Sequence, residues 1–446
     1  MTVEPLVRVA PPLLLAFLLG WLGLVILAVA ALRRRGRLSP ELARKLVHMA
    51  LGLTAAAFPW LFGAASAPVW SLCGLALAAL LAVRLWRPLR QGVGGALHDV
   101  ARHSAGDLLF PVAVALCWAL APGDPLRFSL PLLVLSVADA LAALVGRNYG
   151  RRPYASADAC KTWEGSLAFA LVTFLLVETP LLLGTDLSRA ACLLIALNLA
   201  VLLMLVEALS WQGGDNLLIP LAGALALDHW LIQAEMALVR DGLVLVVLAL
   251  ACWSVRRRTT LDDGAVLACV VIGFLSWELG GARALLAPLG LFLAYGALYP
   301  PRTPEQGHRA WIPLLLAAPG LAWLLAAPGV CSAPVALVTA ATVYAGQLAG
   351  IGLIHARHTS PERSLWRQAL GAWARAELLV VGPTLLALAR IAPVLPAMVA
   401  GLSVLIALVL FGLWQPVGAV FPVQPLRWLR QTLLVGAGSS LVLLLR

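Results

Sequence analysis

The chain has 446 residues and a formal net charge of +11, yet only 12% of its residues are charged and 62% are hydrophobic. Soluble domains carry about twice that charge density, so the composition excludes an ordinary soluble enzyme. Lipid offers the backbone no hydrogen-bond partners, so long apolar runs must form helices. Basic loops on the cytosolic face account for the positive charge, and we expect no nucleic-acid partner.

Apolar runs long enough to cross a bilayer recur along the whole chain. They predict an all-α, polytopic integral membrane protein with about 14–16 transmembrane helices. The candidate spans lie near residues 11–32, 46–63, 66–83, 108–122, 128–146, 165–184, 190–209, 216–233, 241–255, 264–281, 284–299, 311–327, 334–354, 377–393, 397–414 and 429–445.

Basic residues alternate between the loops that join these runs. Four arginines follow the first run, which predicts an uncleaved anchor with its N-terminus outside. Counting crossings from there assigns most arginines and both lysines to cytosolic loops. The most basic of these loops contain Arg33 to Lys45, Arg84 to Arg102, Arg147 to Lys161, Arg256 to Arg258, and Arg357 to Arg375. The pattern predicts a multi-pass protein of the bacterial inner membrane, with its site facing the cytosol.

Lysine is rare in this chain, because only Lys45 and Lys161 accompany its many arginines. A compact ammonium kept against that bias indicates a position where a guanidinium will not serve. Lys45 lies in a cluster with Arg44 and His48 at the start of the second run. On a helix, Arg44 and His48 share a face. Gly52 follows one turn later.

Two further clusters surround the loop that contains Lys161. Asp139 lies inside an apolar run, and an intramembrane carboxylate indicates a functional site. Gly146 and Gly150 flank Arg147, which predicts close backbone approach to an anionic ligand. The next helix begins at the segment Lys161-Thr-Trp-Glu-Gly-Ser166, where hydroxyls, a lysine and a helix N-terminus predict a phosphate site.

A fourth cluster combines Glu207 with a turn that ends in Asp215 and Asn216. Asp215 and Asn216 offer the hard oxygen ligands that magnesium prefers, although the same residues also suit a helix cap. A separate loop with His98, Asp99, His103 and Asp107 is a weaker metal-site candidate, in which Asp99 and His103 could meet on a helix.

Together these clusters resemble the family of membrane CTP-dependent lipid kinases, which includes dolichol kinase, phytol kinase and the CTP-dependent diacylglycerol kinase. The resemblance runs over about residues 40–225. Its motifs are R-K-x-x-H (Arg44, Lys45, His48), G-D-L-L-F-P (106–111), D-x-x-A-x-x-V-G-R-x-x-G (139–150), K-T-W-E-G-S (161–166) and D-N-L-x-x-P (215–220). Asp107 replaces the usual glutamate of the second motif.

The resemblance implies phosphoryl transfer from a nucleoside triphosphate, usually CTP, to a long-chain isoprenoid alcohol such as polyprenol, dolichol or phytol. Such transfer requires charge neutralisation and in-line positioning. We expect Asp139, Lys161 and Lys45 to be catalytic, His48 and Asp107 to bind the lipid alcohol, and Asp139, Asp215 and Asn216 to hold Mg²⁺. The expected nucleotide-binding residues are Arg44, Lys45, Gly146, Arg147, Gly150, Lys161, Thr162, Glu164 and Ser166.

We expect residues 1–240 to form the kinase-like membrane domain and residues 241–446 a helical membrane domain of unknown role. Residues 256–295 faintly resemble the family of phytyl-phosphate kinase, but the later motifs of that family are not evident. Two alternatives stay open. The first is a phosphatidate cytidylyltransferase, whose family shares the D…G-R-x-x-G and K-T-x-E-G motifs. The pattern of that family also has two further lysines near an H-G-G ending, and this chain has no lysine after Lys161 and no H-G-G. A transporter or flippase for a lipid-linked anion predicts inverted repeats.

Overall fold

The computed structural model of the protein describes residues 11–85, 105–155, 160–299, 308–388, 394–415 and 425–445. These residues are almost entirely helical, with one two-stranded sheet. Eleven of the described helices are long and apolar enough to cross a membrane. The prediction of an all-α, polytopic integral membrane protein is confirmed.

Contacts divide the chain into two compact units, Met1–Leu243 and Val244–Arg446. The helices of the first unit are α1 (Pro11–Arg34), α2 (Pro40–Ala56), α3 (Phe58–Phe62), α4 (Ser66–Leu85), α5 (Gly106–Leu120), α6 (Pro125–Tyr149), α7 (Trp163–Gly184), α8 (Arg189–Leu209) and α9 (Asp215–Trp230). Helix α10 (Glu235–Val255) runs across the boundary between the units.

Local sequence signals explain where several of these helices begin. Ser39 caps α2 by accepting a hydrogen bond from the backbone N–H of Leu42 at 3.3 Å, and Pro40 is the first helical residue. Ser188 caps α8 in the same way through Ala191, at 3.0 Å. Each cap satisfies a donor that the first helical turn would otherwise leave unpaired.

Helix α6 is not a regular α-helix throughout. It contains two π-helical turns, Pro125–Ser129 and Val134–Ala138, and Asp139 follows directly after the second. A π turn inserts one extra residue and rotates the side chains that follow it, and such turns recur at functional sites. The chain then forms a hairpin of β1 (Pro153–Ala155) and β2 (Cys160–Thr162), which leads into α7.

An aromatic core holds the helices of the first unit together on the side remote from the basic loops. The ring of Trp118 meets that of Phe128 edge-on, at 4.9 Å between centroids, and both side chains are fully buried. Val69 and Val114 pack in the same cluster. In contrast, α1 and α4 expose most of their apolar side chains, as expected of helices that face lipid.

The second unit contains α11 (Asp263–Leu298), α12 (Trp311–Val330), α13 (Ala333–Thr359), α14 (Leu365–Ala387), α15 (Val394–Trp414) and α16 (Pro425–Ser439), the last continued by a 3₁₀ turn, Ser440–Leu445. A short 3₁₀ turn, Arg256–Arg258, precedes α11. Helix α13 is the most buried of these and forms the centre of the unit.

Helix α11 is interrupted at Gly281, whose φ of 65° and ψ of −160° are not helical. A Cβ atom on Gly273 would lie 3.4 Å from Leu285, twelve residues further along the chain. Residues twelve apart on one straight helix are about 18 Å apart, so the two halves fold back against each other. They correspond to the two predicted spans 264–281 and 284–299.

The remaining predicted spans differ from the structure mainly in length. The runs near residues 46–63, 108–122, 216–233 and 429–445 correspond to α2, α5, α9 and α16, which are shorter than the other spans. Helix α14 begins at Leu365, twelve residues before the predicted start at 377. Arg367 and Arg375 made that segment resemble a loop, although its apolar residues form one helical face.

Candidate active site

The first of two buried ion pairs joins α2 to α6. Lys45 donates a hydrogen bond from Nζ to Oδ2 of Asp139, and only 7% and 8% of these residues are exposed. A buried charge is strongly destabilising unless an opposite charge lies beside it. The opposite charge of each residue therefore allows its partner to stay charged although it is buried.

Close packing between α2 and α6 makes that ion pair possible. A Cβ atom on Gly52 would lie 1.6 Å from Oγ of Ser136, so only glycine fits at this position. At the end of α2, the backbone oxygen of Ala56 accepts a hydrogen bond of 2.6 Å from the hydroxyl of Ser129 on α6. Because Gly52 has no side chain, α2 can pack directly against the π-helical turn that precedes Asp139.

The second ion pair joins β2 to the end of α8. Lys161 donates from Nζ to Oε1 of Glu207 at 2.6 Å and also to the backbone oxygen of Glu207. The side chain of Lys161 is 20% exposed and that of Glu207 is 11% exposed. Lys161 lies opposite Tyr154 in the β1–β2 hairpin, so the hairpin carries this ammonium group to the end of α8.

The two ion pairs belong to one electrostatic cluster. The charge of Lys161 acts on Asp139 as well as on Glu207, although Asp139 is paired with Lys45. Asp215, the first residue of α9, is close enough to interact with the charges of Asp139, Lys161 and Lys45. We call these five residues, Lys45, Asp139, Lys161, Glu207 and Asp215, the lysine–carboxylate cluster.

The turn before α9 brings the fifth member into position. Gln212 and Gly213 have positive φ angles of 50° and 81°, which reverse the chain between α8 and α9. The backbone oxygen of Gln212 accepts a hydrogen bond from Ala105 at 2.9 Å, so the start of α5 lies beside this turn. The backbone N–H of Asn216 donates to Oδ1 of Asp215 at 3.0 Å.

The two residues expected to bind the lipid alcohol occupy different surroundings. His48 lies next to the cluster, because the charges of Asp139, Lys45 and Arg44 act on it. Its ring meets that of Phe110 edge-on, with 5.5 Å between centroids. Asp107 instead forms an ion pair with Arg84, at 2.5 Å between Oδ1 and Nη2.

The glycines of the D-x-x-A-x-x-V-G-R-x-x-G motif pack against the start of α7. A Cβ atom on Gly146 would lie 2.9 Å from Oγ1 of Thr162, and one on Gly150 would lie 2.6 Å from Cγ2 of Thr162. Gly165 in turn would meet Cα of Gly146 at 3.2 Å. These glycines let α6 and α7 approach closely, and their contact with a nucleotide stays a prediction.

Hydrogen bonds order the K-T-W-E-G-S segment. Oγ1 of Thr162 accepts from the backbone N–H of Gly165 at 3.2 Å and caps α7. Ser166 and Tyr154 share a hydrogen bond of 2.7 Å between their hydroxyls, and Oε2 of Glu164 accepts from the backbone N–H of Arg152 at 3.3 Å. The segment is thus held rigidly around Lys161.

The two arginines expected to bind the nucleotide lie further out. The side chains of Arg44 and Arg147 are both exposed, at the start of α2 and the end of α6. A depression of about 430 Å³ adjoins the end of α6 and the start of α7. Its lining residues are Asn148, Tyr149, Gly150, Arg151 and Glu164. The loop residues His98, Asp99 and His103 lie outside the described residues.

Glu207 is the residue whose role the sequence did not reveal. It was noticeable as a carboxylate at the end of an apolar run, which is a signal of function in membrane helices. Nothing in the sequence shows that it faces Lys161, because the two residues are 46 positions apart. Packing of β2 against the end of α8 creates this pair.

The carboxylates of the cluster offer the oxygen ligands that a divalent cation takes. Among the described residues, however, Asp139, Glu207 and Asp215 do not form a group whose ligand oxygens all lie within 4.8 Å of one another. Three carboxylates accompany two ammonium groups, which leaves an excess of negative charge. Oε2 of Glu207 is buried and has no hydrogen-bond partner among the residues that the structure describes. Magnesium takes carboxylate oxygens as ligands and is usually bound by one or two of them together with substrate phosphates. Asp139, Asp215 and Asn216 stay the predicted Mg²⁺ ligands.

Comparison with known proteins places the chain in a family. Phytol kinase from Synechocystis sp. (strain ATCC 27184 / PCC 6803 / Kazusa) is 32% identical to this chain over 209 residues, which make up 46% of this chain and 86% of that protein. No family model matches the chain, and no solved structure matches it. The chain therefore belongs to the family of membrane CTP-dependent lipid kinases that includes phytol kinase.

Proposed function

We propose that this protein is a lipid-alcohol kinase that transfers the γ-phosphoryl group of CTP to the hydroxyl of a long-chain isoprenoid alcohol such as phytol, polyprenol or dolichol. The observation that carries this proposal is the lysine–carboxylate cluster, in which two ammonium groups and three carboxylates meet. That the Synechocystis relative is a phytol kinase supports the acceptor class.

The two lysines would neutralise the triphosphate. Phosphoryl transfer requires little covalent chemistry from the protein and depends on stabilising charge on the phosphate oxygens. Each ammonium is already fixed by its carboxylate partner, Lys45 by Asp139 and Lys161 by Glu207. Because both donors are held before the nucleotide arrives, little reorganisation is needed when it binds.

Mg²⁺ held by Asp139, Asp215 and Asn216 would neutralise further charge on the phosphates. In the transfer, the alcohol oxygen forms a bond to the γ-phosphorus, and the bond from that phosphorus to the bridging oxygen of CDP breaks. The proton of the alcohol then passes to a carboxylate. Oε2 of Glu207 suits this role, since it is buried and has no partner among the described residues.

His48 and the exposed arginines would act at the edges of the site. His48 packs beside Phe110 and next to Asp139, which suits contact with the alcohol end of the lipid. Arg44 and Arg147 are exposed and would bind the nucleotide as it enters from the cytosol. The distribution of basic loops supports a site on the cytosolic face of a bacterial inner membrane.

The position of the label on CTP separates the proposed reaction from its nearest rival. Purified protein with Mg²⁺ and phytol, polyprenol, diacylglycerol or phosphatidate would be given either γ-labelled or α-labelled CTP. A kinase moves only the γ label to the lipid, whereas a cytidylyltransferase acting on phosphatidate moves only the α label. A transporter moves neither. ATP in place of CTP tests the donor.

We expect transfer of the γ label to an isoprenoid alcohol and its loss in Lys161→Ala. Arg189→Ala, at the opposite end of α8 from Glu207, is the matched control and should keep full activity. Transfer to none of the acceptors, or equal rates for Lys161→Ala and the wild type, would contradict the proposal.

A further inference from the structure

The second unit contains an apolar cavity. Its volume is about 100 Å³, so it has room for only part of a lipid chain. The cavity lies between the two halves of α11 and the helices α12 and α13. Its apolar lining includes Leu261, Ile272, Leu285, Phe292, Ile312 and Ile351.

One end of this cavity is polar. Tyr295 and His308 both line it, and Thr260 links them. The hydroxyl of Thr260 forms hydrogen bonds with the hydroxyl of Tyr295 and, at 2.9 Å, with Nδ1 of His308. The backbone ties the same residues together, because the N–H of His308 donates to the oxygen of Thr260 at 2.8 Å.

Arg427 lies beside Trp428, a residue that lines the cavity, and has no ion-pair partner among the described residues. Only 1% of the residue is exposed. Its Nε, Nη1 and Nη2 have no hydrogen-bond partner in any part of the chain that the structure describes. The guanidinium lies 3.8 Å from the ring centre of Trp428, which lines the cavity, and its charge acts on both Tyr295 and His308.

No residue that the structure describes accounts for this arginine. Leaving a buried charge without a partner costs several kcal/mol, and stacking on an aromatic ring returns only about 2 kcal/mol. Almost all buried polar groups in native proteins have hydrogen-bond partners. A guanidinium with five unused N–H donors, at the polar end of an apolar cavity, therefore indicates an external anion with an apolar chain.

We propose that this cavity binds a lipid with a phosphate monoester head, with the phosphate on Arg427 and the chain in the apolar part. Guanidinium matches phosphate by two parallel hydrogen bonds. A phosphate monoester has a third oxygen, which the hydroxyls of Tyr295 and Thr260 can reach at the same end. A carboxylate has only two oxygens and would leave these hydroxyls unused.

Two lipids carry this head group: a phosphorylated isoprenoid alcohol and phosphatidate from the surrounding membrane. The site lies within Val244–Arg446 and shares no residue with the lysine–carboxylate cluster. The inference therefore does not rest on the proposed kinase activity. Binding can be measured in the full-length Lys161→Ala variant, which should transfer no phosphate during the assay.

The test measures thermal unfolding and binding of the full-length protein in detergent with phytyl phosphate, phytol, phosphatidate or palmitate. A ligand that binds only the folded state raises the unfolding midpoint. We expect phytyl phosphate or phosphatidate, or both, to raise it and to bind at least 10-fold more tightly than phytol or palmitate. The pair of phosphates identifies the source of the ligand. Equal effects of phytol and phytyl phosphate, or of palmitate and the phosphates, would overturn the proposal.

Variants localise the binding. Arg427→Gln should lose at least 10-fold in affinity for the phosphate lipid and all of the ligand-induced shift in the unfolding midpoint. Arg430→Gln, one turn later on α16 and stacked on Trp414, is the control and should bind normally. Unchanged affinity in Arg427→Gln would disprove the assignment. If that variant does not fold, the ligand series on the wild type decides alone.

Glu305 provides a second check, because it lies outside the described residues and is the nearest acidic residue in sequence to His308. If Glu305 neutralised Arg427, the Glu305→Gln variant would be less stable than the wild type. It would bind phosphate lipid at least as tightly as the wild type. We expect no loss of stability from Glu305→Gln. If Glu305→Gln lowered stability and the double variant Glu305→Gln/Arg427→Gln regained it, the proposal would be overturned.

Discussion

The Lys45–Asp139 ion pair is a contact on which both stability and the proposed chemistry depend. Both are buried and each is the ion partner of the other. Removing one partner of a buried pair is strongly destabilising, whereas replacing both with apolar residues of similar size is often neutral. Stability and catalysis should therefore respond differently to single and double substitutions.

We expect Asp139→Asn to lower the free energy of unfolding by about 3 kcal/mol and to reduce kcat at least about 100-fold. The double variant Lys45→Met/Asp139→Leu should recover most of the stability but none of the activity. Unfolding midpoints and γ-phosphate transfer rates measure the two effects. Recovery of activity in the double variant would show that the pair is only structural.

His308 makes stability depend on pH. Burial and, to a smaller extent, the charge of Arg427 together lower its pKa to about 4. In the unfolded chain the pKa is about 6.5, so between these values the unfolded state binds more protons. Stability contributed by neutral His308 is present above pH 6.5 and is lost as the pH falls toward 4.

The comparison of wild type with His308→Gln isolates this effect from other titrating groups. Between pH 7 and pH 4 the wild type should lose about 3 kcal/mol more stability than the variant. Unfolding midpoints in detergent at the two pH values measure the difference. Parallel pH dependence of the two proteins would contradict the assignment of neutral His308.

At the scale of elements, Gly52 controls how α2 packs against α6. A Cβ atom there would lie 1.6 Å from Oγ and 2.6 Å from Cβ of Ser136. Gly52→Ala should therefore cost about 1–3 kcal/mol through overpacking and reduce activity by moving Lys45 away from Asp139. Stability and transfer rate together measure this effect.

A second-site change tests the cause. Ser136→Gly should rescue Gly52→Ala, whereas Ser136→Ala should not, because it keeps the clashing Cβ. Gly23→Ala is the control, since a Cβ on Gly23 would meet no atom within 4 Å. Rescue by Ser136→Ala as effective as by Ser136→Gly would show that the hydroxyl alone causes the clash.

The sequence predicted much of the element pattern and pointed to candidate site residues, but it did not predict how these residues pair. Apolar runs predicted the helices, and rare lysines beside intramembrane carboxylates pointed to Lys45, Asp139 and Lys161. That Lys161 pairs with Glu207 depends on tertiary packing, which residue spacing does not encode. Likewise, the apolar pattern of this span did not predict the π-helical turn before Asp139.

At the scale of the whole molecule, the motifs and both ion pairs lie in the unit Met1–Leu243. A protein of residues 1–258, which keeps α10 intact, should retain at least a tenth of the full-length transfer rate. Transfer of γ-labelled phosphate to phytol measures this, with Lys161→Ala in the same fragment as the blank. A folded fragment without activity would show that the second unit is needed for catalysis.

The scarcity of lysine has a practical consequence. Amine-reactive reagents can modify only Lys45, Lys161 and the N-terminal amine, so nearly every acylated side chain reports on the site itself. The Lys161 side chain is 20% exposed and that of Lys45 is 9% exposed, so acylation should reach Lys161 first. Mass spectrometry of the labelled protein, with and without CTP and Mg²⁺, would then act as a footprint of nucleotide binding without any engineered probe.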